Sequence, residues 1–414
     1  MSDIVKYLPE AAIPGGGAPQ WEVADAERWR AARVPAVFGP AAGGWILAAL
    51  VLLAVVVQAR GEHANGSAGT SWTGYPGAVL LFALPAWYRF LPAAAVVAAA
   101  PLVALDAVRR VPAPDGPGPA AGLVLVALSA LALCGALLRL RARRRQRALV
   151  LAAAAGARSP VPEHLPDGHR RRGLRLVLAG GALCLAAGGL LVWGLVQDLG
   201  AAREAPYDAA GQQLTALLLL VTGTPLLGRG LNARRAALRL HDGPQPVLRV
   251  GVRHHPSGRH WLFADARTVS ARPLVAFRDR FTDNHPRPGR ILVGGSPRRL
   301  RREHHDIDER SEPFEAVMYG APCEGAEVLL EFALYEDERT IVSHVTAAPL
   351  LPHRRHSFRP WTPAGTSYAP LRRAAEERER ARRAARRSRR SDGGSSACGA
   401  SDGGGCGGCG GGGD

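Results

Sequence analysis

The sequence predicts a membrane α-helical bundle of five or six spans, followed by a small cytoplasmic antiparallel β-barrel or sandwich and a disordered basic, Gly/Cys-rich tail. Three observations support this order. Long uncharged runs of Ala, Leu, Val and Gly extend to about residue 230, and a span must cross about 30 Å of hydrocarbon. Short segments of alternating apolar and polar residues follow. The last residues are mostly glycine, a composition that buries too little surface to fold.

The changes in composition divide the 414 residues into six segments. An N-terminal arm is expected at residues 1–43, the transmembrane region at 44–230, a basic linker at 231–245, the β-domain at 246–352, a basic, partly helical segment at 353–390 and the tail at 391–414. The arm carries Trp21 and Trp29 among charged residues at roughly helical spacing. This pattern predicts either a short interfacial helix on the inner leaflet or a disordered arm.

Five apolar runs predict transmembrane helices, and a sixth is shorter. The five are residues 45–58, 93–108, 120–138, 176–196 and 214–227. The sixth run, residues 77–87, is short for a membrane span, since a helix rises about 1.5 Å per residue. It predicts either a crossing or a re-entrant or interfacial segment. The first run begins far from the N-terminus and lacks a small-residue cleavage pattern, so it is interpreted as a retained span rather than a signal peptide.

Arginine predicts the orientation, because short loops rich in arginine stay in the cytoplasm. Lys6 is the only lysine, so arginine supplies nearly all the positive charge behind the net +17. The loop predicted after residue 138 is dense in arginine, whereas residues 198–213 hold only Arg203. The chain is therefore expected to be a cell membrane protein whose C-terminal half lies in the cytoplasm. Six spans would place the N-terminus inside and five would place it outside, and the nearly uncharged loop at 61–75 favours six.

Short alternating segments predict six or seven strands in the β-domain. Leu248, Val250 and Val252 alternate with polar residues or glycine, a period of two that indicates a half-buried strand. The other predicted strands are residues 260–264, 274–278, 290–293, 315–319, 327–335 and 340–346. Short strands at this spacing indicate an antiparallel barrel or sandwich.

Two groups of residues are candidate metal ligands. The tail cysteines Cys398, Cys406 and Cys409 would supply three thiolates, one fewer than a zinc site built from four cysteines. His304 and His305 precede three acidic residues, and imidazole with oxygen ligands suits a transition metal. Adjacent residues rarely converge on one ion, so local charge pairing in a solvated loop is the alternative. No cofactor is predicted.

Two arginine clusters are predicted to contact anionic lipid headgroups, and for the second cluster a charged, disordered spacer is the alternative. They are Arg141, Arg143, Arg144 and Arg145, and then Arg382, Arg383, Arg386 and Arg387. Because the chain is predicted to be tethered to a membrane, lipid is the nearer polyanion, and nucleic acid is not an expected partner. Asp106 is either an ion-binding residue of a transporter or an interfacial carboxylate beside Arg109 and Arg110. The predicted spans are otherwise nearly free of ionisable residues.

The segment order and the glycine- and cysteine-rich end resemble those of uncharacterised multi-pass membrane proteins of GC-rich Gram-positive bacteria. The resemblance covers the layout and the tail, and it implies no activity. Phosphate-binding loops, dinucleotide fingerprints, Gly-x-Ser-x-Gly and HExxH motifs are absent from the sequence. We therefore expect a non-enzymatic anchor or scaffold that presents the β-domain to a protein or to lipid. A transporter or channel subunit, and a metal- or redox-linked membrane protein, are the alternatives.

Overall fold

The computed structural model divides into two compact units, and all the labelled helices and strands belong to Met1–His305 and Glu309–Thr366. The described residues of this unit are 8, 13–62, 72, 74–101, 118–162, 165, 167–201, 207–255, 259–266, 273–277, 280–285, 314–335 and 341–350. In the second unit, Asp306–Asp308 and Ser367–Asp414, the described residues are Glu377, Arg380, Ala381 and Ala384, all helical and exposed.

The described residues form six helices of nine residues or more. These are α1 Val23–Ala31, α2 Pro40–Glu62, α3 Tyr75–Phe90, α4 Gly118–Ala153, α5 Leu174–Gly200 and α6 Ala210–His241. A three-residue helix, Pro92–Ala94, and the π-helical Ala95–Ala99 follow α3. Within the described part of the chain, four helices are long and apolar enough to cross a membrane, namely α2, α4, α5 and α6.

The four helices coincide with four of the predicted runs. The shorter run, 77–87, lies in α3, whose 16 residues span about 24 Å at 1.5 Å per residue. The run 93–108 is described only as far as Pro101, and the rest of it, including Asp106, lies outside the described residues.

Helix α4 is much longer than the predicted span. Its 36 residues extend about 54 Å at 1.5 Å per residue, well beyond the thickness of a bilayer core. The arginine-rich segment expected as a loop is instead the C-terminal part of this helix. The physical reason is that arginine, alanine and leucine are all good helix formers, and the buried contacts of Arg139 hold this part in place.

Large apolar side chains on these helices face outward. Trp45 on α2 is 71% exposed, and Leu185 and Leu199 on α5 are 79% and 78% exposed. Exposed apolar surface on this scale marks contact with another apolar phase or molecule.

Helices α5 and α6 pack through glycine. A Cβ atom at Gly180 would lie 2.3 Å from the backbone nitrogen of Leu227, and one at Gly230 would lie 2.6 Å from that of Val177. Small residues of this kind let helix backbones approach closely. Gly181, Gly188 and Gly189 do not share this role, because a Cβ atom at any of them would meet no heavy atom within 4 Å.

Helices α2, α3 and α4 and the segment after α3 form a second apolar cluster. The Tyr88 ring of α3 is fully buried in it, because Gly43 of α2 and Gly135 of α4 leave room on either side. A Cβ atom at Gly43 or Gly135 would lie 2.5 or 2.4 Å from Tyr88.

The C-terminal half contains an antiparallel sheet, which confirms that part of the fold prediction. Its strands are β1 Arg158–Ser159, β2 Gln245–His255, β3 Arg259–Phe263, β4 Val275–Phe277, β5 Arg280–His285, β6 Phe314–Tyr319, β7 Glu327–Tyr335 and β8 Ile341–Pro349. The order is β4-β3-β2-β6-β7-β8-β5, with β1 paired to β2. Strand β5 has no counterpart among the predicted strands, and the predicted strand 290–293 lies outside the described residues.

The N-terminal segment belongs to the sheet. Gln20 forms a parallel bridge with Arg249 of β2, and Trp21 and Trp29 are 1% and 3% exposed in a core shared with β2, β6 and β7. Val150 and Ala154, at the end of α4, lie in the same core. A helix, α1, forms in this segment. Trp21 just before it and Trp29 within it are buried against the sheet, rather than exposed on a face that could contact a leaflet.

Candidate functional site at the helix–sheet junction

The turn between β6 and β7 carries the polar contacts that join the sheet to the helices. Gly325 adopts a φ of +80° in this turn, a conformation that glycine adopts without strain. The turn places Glu324 beside α4 and Glu327, the first residue of β7, beside the loop before α5 and the end of α6. Of these two carboxylates, Glu324 contacts α4, and Glu327 contacts the segment before α5 and is linked through His169 to the end of α6.

Arg139 of α4 forms the first polar contact. Its side chain is fully buried. Nε donates to Glu324 Oε1 at 3.1 Å, and Nη2 donates to the same oxygen. Nη1 donates to the carbonyl of Tyr88, and Nη2 also donates to that of Arg89 at 3.2 Å. Buried charges need such partners, and these link α4 to the end of α3 as well as to the sheet.

Tyr88 extends this contact to the start of α2. The Arg139 guanidinium lies 5.0 Å from the centre of its ring, within the range of a cation–π interaction. The Tyr88 hydroxyl donates to the carbonyl of Phe38 at 2.7 Å. The chain just before α2, the end of α3, the middle of α4 and the β6–β7 turn therefore meet around one guanidinium group.

Glu327 forms the second polar contact, and it is 1% exposed. Its Oε1 lies 3.2 Å from His169 Nε2, and its Oε2 forms an ion pair with Arg172. His169 Nδ1 lies 2.9 Å from Nε2 of His241, the last residue of α6. A buried carboxylate is thereby bound to the loop before α5 and, through His169, to α6.

The distances are consistent with one arrangement of protons. His169 Nε2–H donates to Glu327, and His241 Nε2–H donates to the unprotonated Nδ1 of His169. Burial, and next the positive charge of Arg172, lower the pKa of His169 from 6.5 to about 4. His169 is therefore neutral at physiological pH, as this arrangement requires.

Two further contacts attach the N-terminal segment. Trp29 Nε1 donates to the carbonyl of Pro322 in the β6–β7 turn at 2.8 Å. Arg33 donates to the carbonyl of Leu274 at 2.6 Å. Helix α1 is thus held by the same turn that holds the long helices.

The contacts of the junction attach the sheet to the ends of several helices. Its charges are paired with each other or with backbone carbonyls. Among the described residues no group of three or more His, Cys, Asp or Glu side chains could hold a metal ion. What the arrangement can do is hold the sheet at a defined position against the ends of several helices.

The predicted lipid-facing arginines differ in their surroundings. Arg141, Arg144 and Arg145 are exposed on α4. Arg143 is not free to bind lipid in the same way, because its guanidinium lies 3.1 Å from Glu324 Oε1. The remaining candidates lie outside the described residues, and they are His304, His305, Arg382, Arg383, Arg386, Arg387, Cys398, Cys406 and Cys409.

Sequence reasoning missed the residues that form the junction. It does not select Glu324, His169, His241 or Glu327 as site residues. The available signal is local, since Glu324 and Glu327 flank Gly325 in an otherwise apolar region. Nothing local to the sequence indicates their partners, which are up to 185 residues away in the chain.

No family model, curated protein or solved structure matches this chain. Function must therefore be inferred from its own helices, sheet and junction.

Proposed function

We propose that the chain is a multi-pass membrane anchor that holds its sheet domain against the cytoplasmic surface of the cell membrane, as a non-enzymatic scaffold for a protein or lipid partner. The observation that carries this proposal is the continuity of α4. One uninterrupted helix supplies a candidate span, then Arg139 of the junction, and then Val150 in the core of the sheet. A continuous helix joined by buried ionic contacts transmits position, as an anchor requires.

Contacts at the helix ends support six crossings. At the sheet end, Tyr88 of α3 contacts Phe38 just before α2 and Arg139 of α4, and Arg172 just before α5 contacts Glu327. At the other end, Trp72 just before α3 donates to Asp198 of α5 at 2.9 Å.

Helix α3 therefore runs from the distal end to the sheet end, which supports counting it as a crossing despite its 16 residues. The short helical segment Pro92–Ala94 and Ala95–Ala99 follows α3 at the sheet end, and its alanines pack against α4. This packing supports a further crossing that begins in this segment.

The packing of the N-terminal segment supports an even number of crossings. The backbone nitrogen of Trp21 donates to the carbonyl of Arg249 in β2 at 3.1 Å. Residues that precede the spans and residues that follow them are thus in one folded core, so the N-terminal arm and the sheet share one side of the membrane. Six crossings satisfy this condition and five do not.

Arginine supports the cytoplasmic assignment of that side. The exposed arginines Arg141, Arg144, Arg175, Arg234 and Arg235 lie towards the sheet ends of α4, α5 and α6. Short segments beside spans retain such residues in the cytoplasm.

The hydrogen bonds of the α6 threonines support an anchor rather than a transporter or channel. Thr215, Thr222 and Thr224 each donate to a carbonyl three or four residues earlier in the same helix. Thr224 also accepts a hydrogen bond from Trp87 Nε1 at 2.9 Å. Hydroxyl groups engaged with their own helix and with a packed tryptophan are not arranged to bind a passing solute.

Strand order supports a closed or nearly closed barrel. Strands β4 and β5 stand at opposite ends of the order, yet only two residues separate Phe277 from Arg280. Three residue steps reach at most about 11 Å. The two edges of the sheet must therefore approach each other, as they do when a sheet rolls up.

Two measurements test the anchor. Membranes from cells that express the full chain are washed with alkaline carbonate, and the protein should stay in the pellet. Proteoliposomes that contain it should show no more flux of small cations or anions than empty vesicles. Release by carbonate would contradict membrane insertion, and flux that depends on the protein would favour the transporter or channel alternative.

A further inference from the structure

We infer that exposed arginines at the sheet ends of α4 and α5 bind the headgroups of anionic phospholipids, while the acyl chains of the same lipids lie along the apolar rows of these helices. This inference rests on the proposed membrane insertion and names the lipid class. The basic belt consists of Arg141 and Arg144 on α4, Arg171 in the turn before α5 and Arg175 in the first turn of α5, and all four are exposed.

The belt continues an outward-facing row on α5. Leu178, Leu185, Val192 and Leu199 are spaced by seven residues and are each 62–79% exposed. A helix turns by nearly two full turns over seven residues, so this row drifts by only about 20° per repeat. Arg175 lies three residues before Leu178 and hence on the same face. A lipid whose chain lies along this row would have its headgroup beside Arg175.

Helix α4 repeats the arrangement in the opposite chain direction. Leu123, Ala130 and Leu137 form an exposed row of the same spacing, and Arg144 is the next member of that row. Arg141 follows Leu137 by four residues on the same face. On both helices the apolar row ends and arginine begins on the side where the sheet lies.

The arginines of the basic belt differ from those of the junction in their ion pairs. Arg139 and Arg172, on the inner side, contact Glu324 and Glu327. Among the described ion pairs, none involves a residue of the basic belt. Positive charge that has no ion pair within the described part of the chain, and that lies at the end of an apolar row, is complementary to a phosphate at the surface of the bilayer.

The test compares the full chain with two double variants in reconstituted membranes. Spin-labelled phosphatidylglycerol and spin-labelled phosphatidylcholine report the preference of the lipids that contact the protein. The belt variant is Arg144→Gln with Arg175→Gln. The control, Arg28→Gln with Arg158→Gln, removes the same charge from exposed positions on α1 and β1.

The wild-type chain should prefer phosphatidylglycerol, and the belt variant should lose preference by about fivefold for each arginine at its own site. The control should keep the wild-type preference, and concentrated salt should weaken it. Equal contact with both lipids in the wild type, or an equal loss in the two variants, would overturn the inference. If the belt variant does not fold, an undiminished preference in concentrated salt would overturn it as well.

Carbonate extraction of the same preparation separates this inference from the proposed function. A chain that is released from the membrane contradicts the anchor itself. A chain that remains inserted but shows no preference contradicts only the lipid site.

Discussion

Arg139 on α4 and Glu324 in the β6–β7 turn are 185 residues apart in sequence, and Arg139 Nε lies 3.1 Å from Glu324 Oε1. The arginine is fully buried and the carboxylate is 20% exposed. This pair connects the helix bundle to the sheet, and the same guanidinium holds the carbonyls of Tyr88 and Arg89.

Replacement of this arginine should destabilise the protein strongly. Arg139→Met removes one of the two arginines that bind Glu324 and the donor to two backbone carbonyls. Removal of one partner of a buried ion pair typically costs about 3–5 kcal/mol. We expect a loss of about 3 kcal/mol in the free energy of unfolding, because Glu324 keeps Arg143 and some solvent. Denaturant unfolding in detergent, followed by tryptophan fluorescence, measures it. Arg141→Met, at an exposed position, should change the same quantity by less than about 0.5 kcal/mol, and equal effects of the two variants would contradict the role of the pair.

Acid should weaken the junction through His169. Its pKa is lowered from 6.5 to about 4 in the folded protein, so the unfolded chain binds more protons between these two values. The contribution of neutral His169 is therefore fully present above about pH 6.5 and is lost as the pH falls towards about 4, by about 3 kcal/mol in total.

Urea unfolding at about pH 7.5 and about pH 4.5 measures this dependence. His169→Gln removes the titrating group, so the difference in stability between the two pH values should shrink by about 3 kcal/mol. An equal pH dependence in the variant and the wild type would show that His169 does not carry it.

The glycines of α5 provide a matched pair of substitutions. A Cβ atom at Gly180 would lie 2.3 Å from the Leu227 nitrogen and 2.8 Å from the Gly223 carbonyl oxygen, whereas Gly181 has no heavy atom within 4 Å. Gly180→Ala should lower stability by about 1–3 kcal/mol by forcing α5 and α6 apart. Gly181→Ala should leave it unchanged or raise it slightly, because alanine favours helix. The melting temperatures of the two variants are compared in the same detergent. A larger decrease for Gly181→Ala than for Gly180→Ala would contradict the close packing of α5 and α6 at Gly180.

Trp29 offers a test of the N-terminal attachment. Trp29→Ala removes a side chain that is 3% exposed and a hydrogen bond to Pro322, and such truncations cost about 3–5 kcal/mol. Protease digestion of the purified protein should then release the N-terminal segment faster than in the wild type. Trp45→Ala is the control, because Trp45 faces outward and is 71% exposed, and it should leave the digestion rate unchanged. Equally faster digestion of the Trp29→Ala and Trp45→Ala variants would argue against a buried N-terminal segment.

The sequence predicts what depends on local composition and not what depends on distant partners. The apolar runs in α2, α4, α5 and α6 and the alternation in β2, β7 and β8 are recognisable because each repeats within a few residues. The end of α4 is easily mistaken for a loop, since a run of arginines is typical both of a cytoplasmic loop and of a helix. For Trp21 and Trp29 the sequence leaves an interfacial helix and a disordered arm open, because their partner strands follow more than 200 residues later. Arg139, Glu324 and His169 become a site only when the chain is folded.

In the proposed arrangement, the N-terminal segment and the sheet lie on the cytoplasmic side of the membrane, and the distal helix ends lie outside. The test begins with a variant in which serine replaces the six native cysteines. Single cysteines are then introduced at Arg28, Arg158 or Asp208. A membrane-impermeant maleimide added to intact cells reports which of these positions face the outside. Labelling of Asp208→Cys in intact cells, with Arg28→Cys and Arg158→Cys labelled only after permeabilisation, is the predicted result. Labelling of Arg28→Cys and Arg158→Cys from opposite sides, or of Asp208→Cys from the same side as Arg158→Cys, would contradict this arrangement.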